Sequence, residues 1–390
     1  MAIMDEGDSR NLPAGAAATG RLTVAHVSTQ RGWHGGEEQA RLLCEGLRAR
    51  GHENLIFARA GGEFSIRMKS AEFSVQELPG GGRGPAAIVR MRAALRRRLP
   101  DVIHLHDSHA LTGGGLACVG LNIPARIAAR RVDFPIRSAW RYRWFSNHVV
   151  PVSTTVAEAC CASGIDRSRI TIVHDGVDPD RASSGDRRRG RASLGIADDK
   201  LLLVTVATLT EAKGHRDLLA ALKTVVKRFP QVIAVCAGDG ELRGPLETEV
   251  ARLELQPFFR FLGYRSDVPD LLRAADLMVM PSVQEGLCST LIDAMFAGTP
   301  IITTTAGGIP DLVGPCGDGA AVARMVPPQN PSALAEAVSD ALQALAEGLP
   351  IPGVDPLRAN DRAWQHFTAE AMVEGTLTIY RRVLESAKQR

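Results

Sequence analysis

Short apolar strand signals, each followed by a stretch of helical periodicity, recur along this chain in two separate series. The first opens with RLTVAHVS at residues 21–28 and continues through NLIFAR, DVIHLH, PARIAARR and VVPVS. After its first strand, Ala40, Leu43 and Leu47 share one helical face and Gly51 stops the turn. A later helix, TTVAEACCASG, has capping-box spacing from Thr155 to Glu158. The second series restarts at KLLLVTVATL, residues 200–209, and runs through QVIAVCAGDG, FRFLGY, LMVMPS and PIITTTAG. Such alternation builds parallel sheets covered by helices on both faces. The expected fold class is α/β, with two Rossmann-like, doubly wound parallel-sheet domains. Between the series, residues 179–195 contain ASSGDRRRGRAS, which reads as a flexible polar linker. The first domain is then 21–178 and the second 196–365. Ligands of such sheets bind beyond the carboxyl ends of the strands, so two facing sheets make a cleft.

A length of 390 residues suits two domains of ordinary size. No apolar run reaches the ~18–20 residues of a membrane span. Residues 1–20 are small, polar and partly acidic; they read as a disordered tail and not as a secretory signal. Seven scattered cysteines point to reduced thiols in a cytoplasm. The net charge of +3 conceals an imbalance. Residues 1–195 hold 28 Lys/Arg against 19 Asp/Glu, and residues 196–390 hold 18 against 24. A basic first half fits an anionic partner, although solvated surface arginine gives the same count. The helix AAIVRMRAALRRRLP, with Arg90, Arg92 and Arg96–Arg98 outermost, is either a solvated face or a contact for an anionic membrane surface. No nucleic acid is expected as a partner.

Four loops fall at carboxyl ends of strands. In the first, Gly35 and Gly36 precede a helix, where backbone N–H groups can approach an anion; a tight strand-to-helix turn needs the same glycines. The second, TLTEAKGHRD, places Lys213 before Gly214 at a helix start, exposed and directed where a phosphate would sit. It lacks Walker spacing, which argues against a nucleoside triphosphatase. The third begins at Gly238, where a ring or ribose could pass close to backbone. The fourth is PSVQEGLCSTLIDAMFAGTP, residues 281–300. Its helix is expected to begin near Ser289 with a Ser or Thr cap and to stop at Gly298. The free N–H groups around Leu287, Cys288, Ser289 and Thr290 then carry about half a positive charge toward the cleft and can hold a diphosphate. Glu285 and Gly286 stand just outside the helix, with Glu285 placed for sugar hydroxyls. Asp293, one turn in, is placed for a ribose diol. His104, His106 and His109 offer polar lining, packing or, less fittingly, zinc ligation, because no carboxylate or cysteine completes a set.

The segment EGLCSTLIDAMFAGTP resembles the E-x7-E segment of glycosyltransferase family 4, retaining enzymes of GT-B fold. The likeness spans residues 21–384, through VSTTVAEACCASGI, ITIVHDGVD, VATLTEAKGHRDLLAAL, AGDGELRGPLE, FLGYRSDVPDLLRAADLMVMPS and AGGIPDLV in family order. It implies a nucleotide-diphospho-sugar donor held mainly by the second domain, with Lys213 on the diphosphate, Glu285 on the transferred sugar and Asp293 on the ribose. Gly35 and Gly36 would close over the phosphates. The acceptor would lie on the first domain, and residues 366–390 would form a helix crossing back to it. There are three departures from the family pattern. Asp293 stands where the family has glutamate, and Ala207 and Thr208 stand where an arginine is usual. Arg131, next to Arg130, replaces a histidine that many members carry. A permanently charged arginine suits an anionic acceptor or donor phosphate better than a proton relay.

The expectation is a cytoplasmic glycosyltransferase, peripheral at the inner face of the membrane and independent of cofactor or metal. It would move a hexose from a UDP- or GDP-sugar to a hydroxyl of a glycan or glycolipid in cell-surface polysaccharide or lipopolysaccharide synthesis. Glu285 and Lys213 are the expected catalytic residues. Gly35, Gly36, Gly238, Gly286, Leu287, Cys288, Ser289, Thr290 and Asp293 are assigned to the donor, and His106, Arg130 and Arg131 to the acceptor side. The alternatives are a nucleotide-sugar epimerase of the same fold and a non-catalytic nucleotide-sugar-binding subunit.

Overall fold

A computed structural model describes residues 20–315 and 321–389. The expected tail, residues 1–20, lies outside the described residues except for Gly20, as does Cys316. The six described cysteines are unbridged. The first half runs β1 (Thr23–Ser28), α1 (Gly35–Ala49), β2 (Glu53–Arg59), α2 (Glu63–Ser70), β3 (Val75–Leu78) and α3 (Pro85–Arg97). It continues through β4 (Val102–Leu105), α4 (Ser108–Cys118), β5 (Ala125–Arg130), α5 (Ala139–Phe145), β6 (His148–Pro151) and α6 (Thr154–Ala162). Two short helices follow, α7 (Pro179–Ser183) and α8 (Arg187–Leu194). The second half runs β7 (Leu201–Val206), α9 (His215–Arg228), β8 (Val232–Ala237), α10 (Arg243–Arg252), β9 (Phe259–Gly263) and α11 (Val268–Ala274). It ends with β10 (Leu277–Met280), α12 (Ser289–Ala297), β11 (Ile301–Thr304), α13 (Ile309–Val313), β12 (Arg324–Val326), α14 (Pro331–Glu347), α15 (Pro356–His366) and α16 (Ala369–Lys388).

Both sheets are parallel and six-stranded, in the orders β3-β2-β1-β4-β5-β6 and β12-β11-β10-β7-β8-β9. The central strands β1, β4, β7, β8, β10 and β11 are largely buried on both faces, which is why they read as continuous apolar runs, whereas the edge strands β3, β9 and β12 are partly exposed. The order reverses between β1 and β4 in one sheet and between β7 and β10 in the other. These switch points leave crevices at the strand ends where ligands bind.

The chain passes between the halves twice at one place. Val177 donates its N–H to Phe367 O, and Ala369 N–H returns to Val177 O. From there α16 packs on α1 and β5, burying Met372, Val373, Leu377 and Tyr380 with Leu43 and Leu47. Among the described residues, no helix is long and apolar enough to cross a membrane.

Several local expectations are corrected. Residues 179–195 are not a flexible linker. Asp178 and Asp186 cap α7 and α8, Arg189 pairs with Asp270, and Gly190 allows α8 to touch the Asp270 carbonyl of α11. Composition hid this because the arginines are used as ion-pair partners. In α6 the cap is Ser153, whose hydroxyl accepts from Val156 N–H, so the Thr155–Glu158 box is not used. Helix α4 gave no periodic signal because Gly113–Gly115 interrupt it. A Cβ on Gly113 would come 2.3 Å from Gly82 O and one on Gly115 2.3 Å from Phe145, so these glycines buy close packing. On α3, Arg92 donates to Ala117 O and Val119 O, and Arg98 pairs with Glu53; Arg90, Arg96 and Arg97 remain exposed.

Candidate active site in the interdomain cleft

A cavity of about 640 Å³ lies between the carboxyl ends of the two sheets. Its first-domain wall includes Trp33–Glu37, His106, Asp107, Arg130–Val132, Tyr142 and Asp175. The second domain supplies Val206–Thr208, Lys213 and Glu285–Thr290. Both switch points therefore open into one space.

Lys213 and Glu285 follow the neighbouring strands β7 and β10. Their loops are tied by backbone, because Val283 and Gln284 both donate to Ala212 O at 2.8 and 3.1 Å. Gly214 has φ +65°, and a Cβ there would stand 2.0 Å from Pro281 O, so only glycine lets the loops meet. Lys213 Nζ lies 2.5 Å from Glu285 Oε1, which also accepts from Ser282 Oγ at 2.9 Å. The expectation of an exposed lysine is corrected here, since Lys213 is largely buried and paired. Burial opposes its charge, but Glu285, with Cys288 and Asp133, outweighs that and raises its pKa.

A second loop holds Glu285 from behind. Gly307 has φ +51°, and a Cβ on it would be 1.7 Å from Glu285 O; one on Gly308 would be 2.2 Å from Gly286 O and 2.6 Å from Ser153. Gly308 N–H donates to Glu285 O. The sequence contained this pair only as part of AGGIPDLV, and nothing local marked it as the support of the Glu285 loop. Gly286 in turn lets Arg131 O approach, since its Cβ would be 2.0 Å away.

Helix α12 starts at Ser289 and ends at Gly298, which is left-handed with φ +66°. Its N-cap is Cys288, with no side-chain hydrogen bond, so the expected Ser or Thr cap is absent. The first-turn N–H groups are uncapped where Leu287, Cys288, Ser289 and Thr290 line the cavity. Gly35 faces this helix end from α1, its Cβ position 3.9 Å from Ser289 Oγ. Gly36 lies beside Arg131 Cδ.

The first-domain wall is a set of buried polar groups. Arg131 Nε donates to Asp175 Oδ1 at 3.1 Å, while its Nη1 is buried with no partner among the described residues. Burial raises the Asp175 carboxyl pKa, against the pull of Arg131. Arg130 bonds the Phe134 carbonyl and reaches Tyr142 Oη at 3.5 Å. His106 lines the cavity and sits 3.1 Å from His26 Nδ1, and His26 Nε2 is 3.0 Å from Asn54 Oδ1. Asn54 gives its amide N–H to Cys44 O, so its oxygen faces His26 and the histidine bears its proton on Nε2. Burial lowers the pKa of all three histidines, that of His26 to about 4 and those of His104 and His106 well below the ordinary value, so the stack is neutral. His104 meets Tyr380 of α16 at 2.5 Å. The three rings are stacked near-parallel, and His26, which the sequence reading did not group with the other two, completes a buried trio whose ligand nitrogens lie within 4.8 Å of one another, close enough to hold a metal ion; one His26 and one His106 nitrogen are instead hydrogen-bonded to each other.

Two expected donor residues lie off the cavity wall. Asp293 is bound by Arg181 of α7 at 2.6 Å. Burial pushes its carboxyl up to about 6, Arg181 pulls it down, and Glu38 adds to the rise. The pairing was hidden because Arg181 sits in the stretch read as a linker. Gly238, with φ +142°, donates to Gly263 O and packs its Cα against Ala207 O, where a Cβ would come within 1.9 Å. It shapes the strand end that carries Ala207. Sequence reading missed Trp33, Glu37, Asp107, Phe134, Tyr142 and Asp175. Trp33, Asp107, Phe134 and Asp175 lie in loops with no periodic signal, while Glu37 sits in the first turn of α1 and Tyr142 in the short α5.

Comparison with known proteins agrees with this architecture. The chain matches the Glycosyltransferase Family 4 description over residues 33–181 and that of Glycosyl transferases group 1 over residues 186–345. It is 27% identical over 256 residues to the 2-deoxystreptamine glucosyltransferase of Streptomyces kanamyceticus, covering 59% of this chain and 66% of that one. It is 24% identical over 243 residues to the Escherichia coli UDP-Gal:alpha-D-GlcNAc-diphosphoundecaprenol alpha-1,3-galactosyltransferase, covering 57% and 62%. The matched part thus spans less than two thirds of these relatives' own length. The fold is similar to that of Anabaena HepE in complex with UDP and glucose, with a TM-score of 0.80, 18% identity and coverage of 92% and 99%. On its two consecutive family matches and its two facing sheets, the chain belongs to glycosyltransferase family 4, with the GT-B fold.

Proposed function

We propose that this protein transfers a hexose from a nucleotide-diphospho-sugar to a hydroxyl of a glycan or glycolipid, with retention at the anomeric carbon. The observation that carries the reading is the meeting of the Lys213–Glu285 pair and the uncapped end of α12 in one cavity at both switch points. Uncapped helix N–H groups and a lysine together favour a diphosphate. The HepE complex supports UDP over GDP as the nucleotide, and the E. coli relative's name supports a lipid-linked acceptor in cell-surface polysaccharide synthesis.

In this reaction the bond between anomeric carbon and phosphate oxygen breaks, and the acceptor oxygen bonds the same face of that carbon. The acceptor proton passes to the departing diphosphate oxygen. Lys213 and the α12 N–H groups stabilise the charge that grows there. Glu285 holds sugar hydroxyls and, as a carboxylate, favours the positive ring of the transition state. Gly35 and Gly36 approach the phosphates from the first domain. Arg131, with a free Nη1, supplies a second cation, either to the diphosphate or to an anionic acceptor. Replacement of the half-exposed Arg181 guanidinium by a ribose diol would give Asp293 its ribose contact. His106 and Arg130 line the acceptor side.

The reading needs no metal. Each carboxylate on the cavity wall is engaged by protein donors: Glu37 by His34 N–H, Asp107 by Thr29, His109 and Ala110, Asp175 by Arg131, and Glu285 by Lys213. The test is thermal shift with a panel of UDP- and GDP-sugars, followed by product analysis with and without acceptor. Donor binding with slow hydrolysis and acceptor-dependent transfer is expected. Isomerised sugar without acceptor would mean an epimerase, and binding without any turnover would mean a non-catalytic subunit.

A further inference from the structure

Beside the mouth of the cavity lies an outward strip that the reaction does not use. In α5 the tryptophans at 140 and 144 are one helical turn apart and 54% and 75% exposed, while Tyr142 and Phe145 on the opposite side are buried. This is inverted amphipathy: the large apolar side chains face water. The loop before α5 adds exposed Val132, Phe134 and Pro135, and Val132 and Phe134 also line the cavity. Arg137 and Arg143 are exposed on the same segment, and neither is paired with a carboxylate among the described residues. From residue 134 to 146 the sequence has no Asp, Glu, Asn or Gln.

We propose that this strip docks on an anionic lipid bilayer, with Trp140 and Trp144 seated at the headgroup level and Arg137 and Arg143 on lipid phosphates. Indole rings favour the membrane–water interface because one edge is apolar and the other carries an N–H. Guanidinium groups favour anionic headgroups, and their charge complements that surface. A glycan-stacking platform would need carboxylate or amide partners for sugar hydroxyls, and the strip has none. Helix α4 packs between α3 and α5 and so separates the exposed arginines of α3 from this strip. The contact is therefore assigned to α5 and not to α3. The inference rests on the reading that the acceptor is lipid-linked, and it places the cavity mouth at the surface from which such an acceptor would be taken.

The test uses the full chain with vesicles of phosphatidylcholine, with and without phosphatidylglycerol, at low and high salt. Wild type should partition onto the anionic vesicles, with a blue shift of tryptophan emission, and lose affinity as salt rises. W140A/W144A should bind about tenfold more weakly or worse, and R137Q/R143Q about fivefold weaker per arginine and less salt-sensitive. Donor-induced thermal shift should match wild type in both variants, because these side chains lie outside the cavity; R137Q/R143Q should keep the wild-type melting temperature, and W140A/W144A should melt slightly lower through loss of the edge contact of Trp140 with Phe145. Vesicle binding by W140A/W144A equal to wild type overturns the proposal. So does wild type that ignores anionic vesicles while the tryptophan variant loses transfer to a water-soluble glycan. Wild type that binds vesicles but no nucleotide sugar leaves the docking intact and removes the catalytic reading instead.

Discussion

Lys213 and Glu285, 72 residues apart, form an ion pair of 2.5 Å at the ends of adjacent strands. The pair sets a carboxyl group and an amine side by side in a largely buried wall, at one point of the cavity. The two residues assigned to different parts of the donor are therefore energetically one unit.

Lys213→Ala and Glu285→Ala should each lower kcat by about 100- to 1,000-fold, as loss of a group aimed at transition-state charge does. Their double variant should be far less impaired than the product of the two. Lys213→Ala should also destabilise the fold by on the order of 2 kcal/mol, because it strands the Glu285 carboxylate. Denaturation midpoints and steady-state kinetics on the three variants check this, and full additivity would separate the two roles.

The Gly307 backbone supports Glu285 without any side chain. Gly307→Ala places a methyl into the Glu285 carbonyl at a positive φ, so the Glu285 loop must shift. Turnover should fall by roughly 100-fold, in line with an ångström-scale misplacement. The global melting temperature should move much less than kcat. Unchanged turnover would show that the Glu285 loop tolerates displacement.

Asp293 gives a pH signature. Its carboxyl is raised to about 6 in the folded protein, above the ordinary value of about 3.9. Between those values the folded state keeps a proton that the unfolded chain has released, so stability falls as pH rises through about 4 to 6 and is level above. Asp293→Asn should lack this slope, with a difference on the order of 1 kcal/mol. Urea midpoints measured at about pH 4.5 and about pH 7 decide it.

The same residue separates binding from chemistry. If the ribose displaces Arg181, Asp293→Ala should raise the donor KM by roughly tenfold with kcat little changed, and Arg181→Ala should tighten UDP slightly. Calorimetry with UDP reads both. Equal UDP affinity in Asp293→Ala would remove Asp293 from the donor site.

Activity should persist in excess EDTA, because every wall carboxylate already has a protein donor. Strict dependence of transfer on added Mg2+ or Mn2+ would overturn that part of the mechanism.

Much of this was written locally in the chain. The apolar runs at 21–28, 200–206 and 277–282, each followed by a period of 3.6, determined parallel sheets, because strand burial and helix amphipathy are set by neighbours a few residues apart. Gly298 determined the end of α12 for the same reason, since a left-handed stop is cheap only for glycine. Glu285, Lys213 and the α12 start were legible as strand-end groups. The tertiary structure alone decided how they combine. Arg181 and Asp293 are 112 residues apart, and no local pattern records which of several nearby arginines reaches that carboxylate. Gly307 matters through one carbonyl on another loop, and glycine in sequence does not say what occupies the space its missing Cβ leaves. Side-chain pairing and close backbone approach depend on where packed elements place their ends, which is fixed only when both sheets and the crossing helix are in position.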